Sequence, residues 1–177
     1  MKYKRELPSQ QQSRRNKIDE DEQGMVEKCF QGALYYLNRR DRTQKELEDK
    51  LRGRGFDDQA IAKAVVRLKG LSFIDDERFA RNFVRNSFNL KPKGRRRLKF
   101  ELKRKGLSEQ VIENALQSEW TCDEYSLVMA QAKKIVDKNS SLKREKIFQR
   151  ALGALIRRGF DYSMAKKAVL ECLDELN

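Results

Sequence analysis

The residues best suited to chemistry lie in one strongly basic segment near the middle of the chain. Between Leu90 and Gly106, nine of 17 residues are Lys or Arg and one, Glu101, is acidic, so +8 of the net charge of +13 lies in this segment. Clustered cations attract polyanions, and guanidinium groups bind phosphates and carboxylates through paired hydrogen bonds. The segment therefore predicts a contact surface for a polyanion or an acidic protein groove.

Spacing within this segment predicts a helix with two different faces. Leu98 and Leu102 are four residues apart and are expected to turn toward a core. The second face, which we expect to be exposed, carries Arg96, Phe100, Lys103 and Arg104. With basic residues of neighbouring helices, the predicted contact surface comprises Arg81, Arg85, Lys93, Arg95, Arg96, Arg97, Lys99, Phe100, Lys103, Arg104, Arg157 and Arg158. The alternative is a solvated charged face with Phe100 packed against a neighbouring repeat.

Several classes of catalytic site lack the residues they need. The chain contains no histidine, which removes the commonest acid–base group and every Ser-His or Cys-His nucleophile pair. No phosphate-binding glycine motif is present. Cys29, Cys122 and Cys172 are far apart, and they predict buried small residues in a reducing cytoplasm rather than disulfides or a zinc site. We therefore predict no enzyme activity, no cofactor and no metal.

An acidic cluster, Asp75-Asp76-Glu77, offers the one alternative to this conclusion. Clustered carboxylates in a basic protein are compatible with a metal-dependent nuclease. However, the same residues suit a helix start, where Asp75 is the N-cap and the following acids oppose the helix dipole. We predict the helix cap.

One pattern occurs three times along the chain. Each copy has an apolar residue, basic residues, a glycine, an apolar residue and then a residue suited to capping the next helix. The copies are Leu51-Arg-Gly-Arg-Gly-Phe56, Leu102-Lys-Arg-Lys-Gly-Leu107 and Leu155-Ile-Arg-Arg-Gly-Phe160, followed by Asp57, Ser108 and Asp161. Their glycines are 51 and 53 residues apart. This periodicity predicts tandem repeats.

Apolar residues recur at helical spacing and no segment alternates long enough for a sheet, so the chain is predicted to be all-α. Corresponding positions are expected to point inward in each repeat: Leu47, Leu98 and Ala151; Leu51, Leu102 and Leu155; Ile61, Ile112 and Ala165; Ala64, Ala115 and Ala168. We predict three tandem three-helix repeats at residues 25–72, 73–120 and 121–177, the second of which contains the basic helix.

Residues 1–24 are predicted to form a flexible tail, because they are polar and show no apolar periodicity. They contain no apolar stretch of the kind found in a signal peptide, and no later run is long enough to span a membrane. We expect a cytoplasmic protein that acts as a monomer.

Three further stretches of sequence are informative together: Ala33-Leu-Tyr-Tyr-Leu37 with Thr43-Gln-Lys-Glu-Leu47; Phe73-Ile-Asp-Asp-Glu-Arg-Phe-Ala80; and Gly94-Arg-Arg-Arg-Leu98 with Glu101-Leu102 and Lys105-Gly-Leu107. In this order they resemble the RecX family, which modulates the bacterial recombinase RecA. The third repeat agrees more weakly, through Arg157-Arg-Gly-Phe160. The resemblance covers residues 28–175. Phe100 departs from it, because a polar residue is expected there.

The resemblance implies an elongated, curved array of repeats that lies in the groove of the RecA–DNA filament. There it would limit filament growth or promote disassembly, and so lower strand exchange and coprotease activity. Single- and double-stranded DNA would be bound nonspecifically.

Further arginines in the outer repeats would extend the surface into a stripe if the repeats stack regularly: Arg39, Arg40, Arg52, Arg54, Arg150, Arg157 and Arg158. The alternative is an autonomous DNA-binding regulator of helix-turn-helix type.

If the basic segment contacts phosphates, affinity for DNA should fall steeply with salt. We expect the dissociation constant for a DNA oligonucleotide to rise by about tenfold or more between 50 and 200 mM salt, because each phosphate contact releases counterions. Fluorescence anisotropy titrations at several salt concentrations provide the measurement. A flat response to salt would contradict phosphate contact.

Overall fold

The computed structural model describes residues 8–90, 92–121 and 123–176. These residues form nine α-helices and no strand, which confirms the all-α prediction. The helices are α1 (Pro8–Leu37), α2 (Gln44–Arg52), α3 (Asp58–Gly70), α4 (Asp76–Leu90), α5 (Arg95–Arg104), α6 (Glu109–Glu119), α7 (Glu124–Lys138), α8 (Arg144–Arg157) and α9 (Tyr162–Asp174).

The nine helices pack in three groups, each around its own hydrophobic cluster. Helix α3 packs against α1 and α2, α6 packs against α4 and α5, and α7, α8 and α9 pack against one another. All twelve positions predicted to correspond between repeats are buried: Leu47, Leu51, Ile61, Ala64, Leu98, Leu102, Ile112, Ala115, Ala151, Leu155, Ala165 and Ala168. The shared apolar spacing therefore marks the inward face of each group.

Contacts along the chain divide it into two compact units. The first ends at Asp75 and contains α1–α3, and the second begins at Asp76 and contains α4–α9. Ile74 is buried in the cluster of the first unit, although the predicted boundary of the first repeat lies at residue 72. The predicted repeat boundaries and the elongated, curved shape of the array stay predictions.

The predicted cap residues begin the last helix of each group. Backbone N–H groups donate to the side chains of Asp57 at 2.7 Å, Ser108 at 3.3 Å and Asp161 at 2.8 Å. Thr43 likewise accepts from the Glu46 amide at 3.2 Å and caps α2. Each of these oxygens satisfies a backbone donor that has no partner within the first helical turn.

The recurring glycine turn has the same geometry in all three copies. Gly55, Gly106 and Gly159 have φ of 86°, 87° and 86°, a conformation that glycine adopts without steric cost. In each copy the amide after the glycine donates to a leucine carbonyl five residues earlier: Phe56 to Leu51, Leu107 to Leu102 and Phe160 to Leu155. This is the hydrogen-bonding pattern of a Schellman motif, which ends the helix.

Residues 8–24, part of the predicted flexible tail of residues 1–24, lie in helix α1. The assignment of residues 1–24 as a separate tail stays a prediction. Helix α1 begins at Pro8, a residue favoured at the first helical position. Glu22 of α1 contacts helix α3, where its carboxylate accepts a hydrogen bond from Gln59 and pairs with Lys63, both at 2.5 Å. Apolar periodicity cannot reveal a polar stretch of helix, so the sequence pattern missed it. Residues 1–7 lie outside the described residues.

Within the second unit, the start of α5 meets the turn after α8 through backbone alone. The Gly94 amide donates to the Arg158 carbonyl at 2.8 Å. A Cβ atom on Gly94 would lie 2.4 Å from the Gly159 carbonyl oxygen, and one on Gly159 would lie 2.4 Å from the Cβ of Arg97. No side chain fits at either position without displacing one segment from the other.

We expect Gly94→Ala to lower the free energy of unfolding by about 1–3 kcal/mol, because the added methyl group overpacks this contact. Urea denaturation followed by circular dichroism gives the measurement. Gly24→Ala is the control: apart from its chain neighbours and the backbone of its own helix, no atom lies within 4 Å of its Cβ position, and alanine favours the helix, so stability should be unchanged or slightly higher. Equal stability of the two variants would contradict the importance of the close approach.

Candidate functional site

An open groove lies in the second unit where α5 meets the end of α8. Its volume is about 680 Å³. Residues of both helices and of the turn after α8 line it: Arg96, Arg97, Phe100, Ile156, Arg157, Gly159 and Phe160. The backbone contact between Gly94 and Arg158 fixes the two walls, so arginines 61 positions apart in sequence, Arg96 and Arg157, share one site.

The groove combines exposed apolar groups with guanidinium groups. Phe100 is 53% exposed and Ile156 is 43% exposed, although both are large hydrophobic residues. The Cζ atoms of Arg97 and Arg104 each lie 5.8 Å from the centroid of the Phe100 ring. Cations at this distance are attracted to the ring face. Phe100 is therefore half exposed and lies beside arginines. Both the contact surface and the alternative, a solvated charged face with Phe100 packed against a neighbouring repeat, stay predictions.

Ion pairs separate the predicted surface into neutralised and unneutralised residues. Seven members contact a carboxylate: Arg81 with Glu77, Arg85 with Glu119, Lys93 and Arg97 with Glu101, Arg95 and Lys99 with Glu113, and Lys103 with Glu109. An exposed ion pair of this kind still presents its cation to solvent, but its net field is small. These residues contribute less to attraction at a distance than the sequence count suggests.

Three arginines of the predicted surface remain without a carboxylate partner within the described residues. They are Arg96, Arg104 and Arg157, and all three are exposed. Two of them, Arg96 and Arg157, line the groove. Unneutralised guanidinium groups next to exposed apolar surface form a site that is suited to an acidic partner with an apolar anchor.

Arg158, the last member of the predicted surface, is half-buried and held inside the second unit. Its guanidinium Nη1 donates to the side-chain oxygen of buried Gln131 at 2.6 Å, and its carbonyl accepts from Gly94. These contacts give Arg158 a packing role. Ile156, by contrast, lines the groove and was not predicted, although its position outside the inward stripe of α8 is a signal that could have found it.

Glu101, the acid within the basic segment, balances the charge beside the groove. Its carboxylate accepts from Lys93 at 2.5 Å and from Arg97 at 2.7 Å. Burial by itself would raise the pKa of Glu101, but these hydrogen bonds and the two positive charges hold its pKa below the ordinary value. Glu101 therefore stays ionised at neutral pH and links the loop before α5 to the helix itself.

The arginines of the first unit do not share one environment. Arg40 pairs with a glutamate of α2, and Arg52 pairs with one aspartate of α2 and one of α3. Arg39 and Arg54 instead lie over the ring of Tyr35. The proposed stripe across all repeats stays a prediction, and Arg40 and Arg52 are neutralised locally.

The remaining sequence predictions concern cysteines, acids and membrane segments. Cys29 and Cys172 are free and buried, as predicted, and burial raises the pKa of both thiols; Cys122 lies outside the described residues. No three cysteine or acidic side chains in the described ranges are grouped so that they could hold a metal ion. None of the helices described combines the length and apolar character needed to cross a membrane.

Comparison with known proteins places this architecture in a family. The family model for the first three-helix domain of RecX matches residues 29–68. The family model for the second three-helix domain of RecX matches residues 75–116. Regulatory protein RecX of Chlorobaculum tepidum is 34% identical over 157 residues, which cover 87% of this chain and 94% of the relative. The chain belongs to the RecX family. The resemblance stated from the sequence motifs is thereby confirmed.

Other RecX proteins agree in sequence and in fold. Regulatory protein RecX of Bacillus licheniformis is 34% identical over 146 residues, which cover 82% of this chain but 56% of that relative. The crystal structure of RecX from Lactobacillus salivarius superimposes with a TM-score of 0.71 at 28% identity, covering 86% of this chain and 98% of the other. The relatives of this RecX-family chain are thus named as regulatory proteins.

We expect Glu101→Gln to lower the free energy of unfolding at pH 7 by about 1 kcal/mol, because Lys93 and Arg97 lose a charged acceptor. The folded-state pKa of Glu101 is lowered, so its contribution is present at neutral pH and is lost as pH falls through that value, below 4.5. The stability difference between wild type and variant should therefore shrink on acidification. Urea denaturation at a series of pH values measures it.

Glu109→Gln is the matched control for this pH dependence. Glu109 is exposed and lies 3.7 Å from Lys103, so we expect its loss to change stability by less than about 0.5 kcal/mol at every pH. If the Glu101→Gln difference stays constant or grows as pH falls, the assigned role of the Glu101 carboxylate is wrong.

Proposed function

We propose that this protein binds the RecA–DNA filament and mainly inhibits recombinase and coprotease activity, by lying along the filament groove and limiting growth. It is a regulator and not an enzyme, and it acts as a cytoplasmic monomer in the control of recombination, DNA repair and the SOS response. Membership of the RecX family supports this role. The observation that carries it is the groove in which two unneutralised arginines flank exposed Phe100 and Ile156.

A protein partner explains the composition of this groove better than phosphate alone. Phosphates require cations, which Arg96 and Arg157 supply, but they do not require an apolar surface beside them. Protein interfaces are centred on buried aromatic and arginine anchors, where desolvation makes each contact stronger. Phe100 and Ile156 provide such an apolar anchor, and Arg96 and Arg157 favour a partner whose surface is acidic. Nonspecific attraction of both single- and double-stranded DNA by the remaining charge supports the same encounter.

The alternative function is an autonomous DNA-binding regulator of helix-turn-helix type. The net charge of +13 and the short consecutive helices favour it. Asn and Gln recognise adenine in the major groove through paired hydrogen bonds, and α5 contains neither. Its lysines and arginines suit the DNA backbone more than a defined base sequence. DNA binding is therefore proposed as support for filament binding.

RecA activity with substoichiometric protein separates these two functions. A filament modulator should inhibit ATP hydrolysis and strand exchange on single-stranded DNA at well below one molecule per DNA-site equivalent. A protein that only competes for DNA should have no effect until the DNA is saturated. The second outcome would overturn the proposed function.

The double variant Arg96→Ala/Arg157→Ala tests the groove directly. We expect the concentration for half-inhibition of RecA to rise about tenfold or more, because central arginines in interfaces are frequent hot spots. Both side chains are exposed, so the melting temperature should change by only about 2 °C or less.

Lys134→Ala/Lys138→Ala is the charge-matched control. Both lysines lie on the exposed side of α7, away from the groove lining, so half-inhibition should change less than about twofold. Equal losses in the two double variants would show that bulk charge, and not the groove, determines inhibition.

A further inference from the structure

A second arginine cluster, in the first unit, surrounds two adjacent tyrosines. The Arg39 Cζ atom lies 4.9 Å from the Tyr35 ring centroid, and the Arg54 Cζ atom lies 5.4 Å from the same centroid. Arg54 also lies 4.9 Å from the ring of Tyr36, and Arg42 lies 5.3 Å from it. We call these five residues the tyrosine–arginine cluster. It brings together the end of α1, the loop after it and the turn after α2.

The arginines of this cluster differ in their ion pairs from the arginines next to them in sequence. Within the described residues, none of Arg39, Arg42 and Arg54 pairs with a carboxylate, whereas Arg40 and Arg52, close by in sequence, both do. The Nε atom of Arg42 is buried and has no hydrogen-bond acceptor. The ring faces attract these guanidinium groups, and an anion placed between Arg39 and Arg54 would be attracted by both of them.

Tyr35 adds an exposed aromatic surface to this site. It is 47% exposed, while Tyr36 is half-buried and packs against it edge to face, with ring centroids 5.7 Å apart. Contacts with Tyr36 and two arginines restrict the Tyr35 side chain before any ligand arrives. A rigid aromatic group loses little conformational entropy on binding, and it can stack on any nucleic-acid base.

From this geometry we propose that the tyrosine–arginine cluster binds single-stranded nucleic acid, with a base stacked on Tyr35 and the flanking phosphates held by Arg39 and Arg54. Phosphate matches the fork of guanidinium donors. The base accounts for the exposed ring, which an acidic peptide does not require. In a duplex the bases are already stacked on one another, so the site selects the single strand.

This proposed site is independent of the groove in the second unit. It is tested on DNA without RecA, whereas the filament function is tested by inhibition of RecA. Failure of either proposal therefore leaves the other standing. Nonspecific attraction by the net positive charge of the chain would not depend on the Tyr35 ring. A loss of affinity when that ring is removed therefore distinguishes the proposed site from nonspecific binding.

The test measures binding of the full chain to a fluorescein-labelled oligothymidylate and to a duplex of equal length, by anisotropy at fixed salt. We expect Tyr35→Ala to weaken binding of the single strand by about tenfold, the scale of one lost base–aromatic stack. Tyr35→Phe should bind within about twofold of wild type, because the ring is retained. Duplex affinity should change less than about twofold in both variants. Circular dichroism and thermal melting check that each variant is folded.

A pair of double variants with equal loss of charge tests the arginines. Arg39→Ala/Arg54→Ala should weaken single-strand binding clearly more than Arg40→Ala/Arg52→Ala, since the latter two arginines are already neutralised by carboxylates. Unchanged binding by Tyr35→Ala, equal losses in the two double variants, or equal losses for single strand and duplex would each overturn the site.

Discussion

The hydrogen bond from the Gly94 amide to the Arg158 carbonyl is the contact on which the site in the second unit depends. It joins backbone to backbone, and the missing Cβ atoms of Gly94 and Gly159 allow the two segments to approach so closely. Because no side chain separates them, the start of α5 and the turn after α8 are in direct backbone contact. The groove between Arg96 and Arg157 follows from this constraint.

Charge in the basic segment acts locally once the chain is folded. Glu101 and Glu113 each pair with two cations of the segment, and other acids pair with Arg81 and Arg85 of α4 and with Lys103 of α5. The part of the basic surface whose cations form no ion pair is therefore smaller than the count of nine cations in the sequence indicates. In the described part of the chain, exposed arginines that form no ion pair lie beside aromatic rings in both units: Arg104 beside Phe100 in one, and Arg39 beside Tyr35 in the other.

Most of the local structure could be predicted because it is encoded by short-range chemistry. Asp57, Ser108 and Asp161 cap helices, since a side-chain oxygen next to the first turn finds a free amide wherever the fold places it. The glycine turns and the inward positions followed from spacing in the same way. The helical part of residues 8–24 was missed because a polar helix has no apolar stripe, so contacts such as that between Glu22 and Lys63 carry no sequence signal.

The sequence by itself determined an all-helical chain with buried stripes, capped helices and a basic segment that had to be exposed. The tertiary structure alone decided which cations are neutralised, that Arg158 faces inward to Gln131, and that Ile156 joins Phe100 in one groove. Helix periodicity and caps arise from residues within one or two turns of each other. Ion pairs and groove walls arise between residues tens of positions apart, and no local pattern specifies their distance.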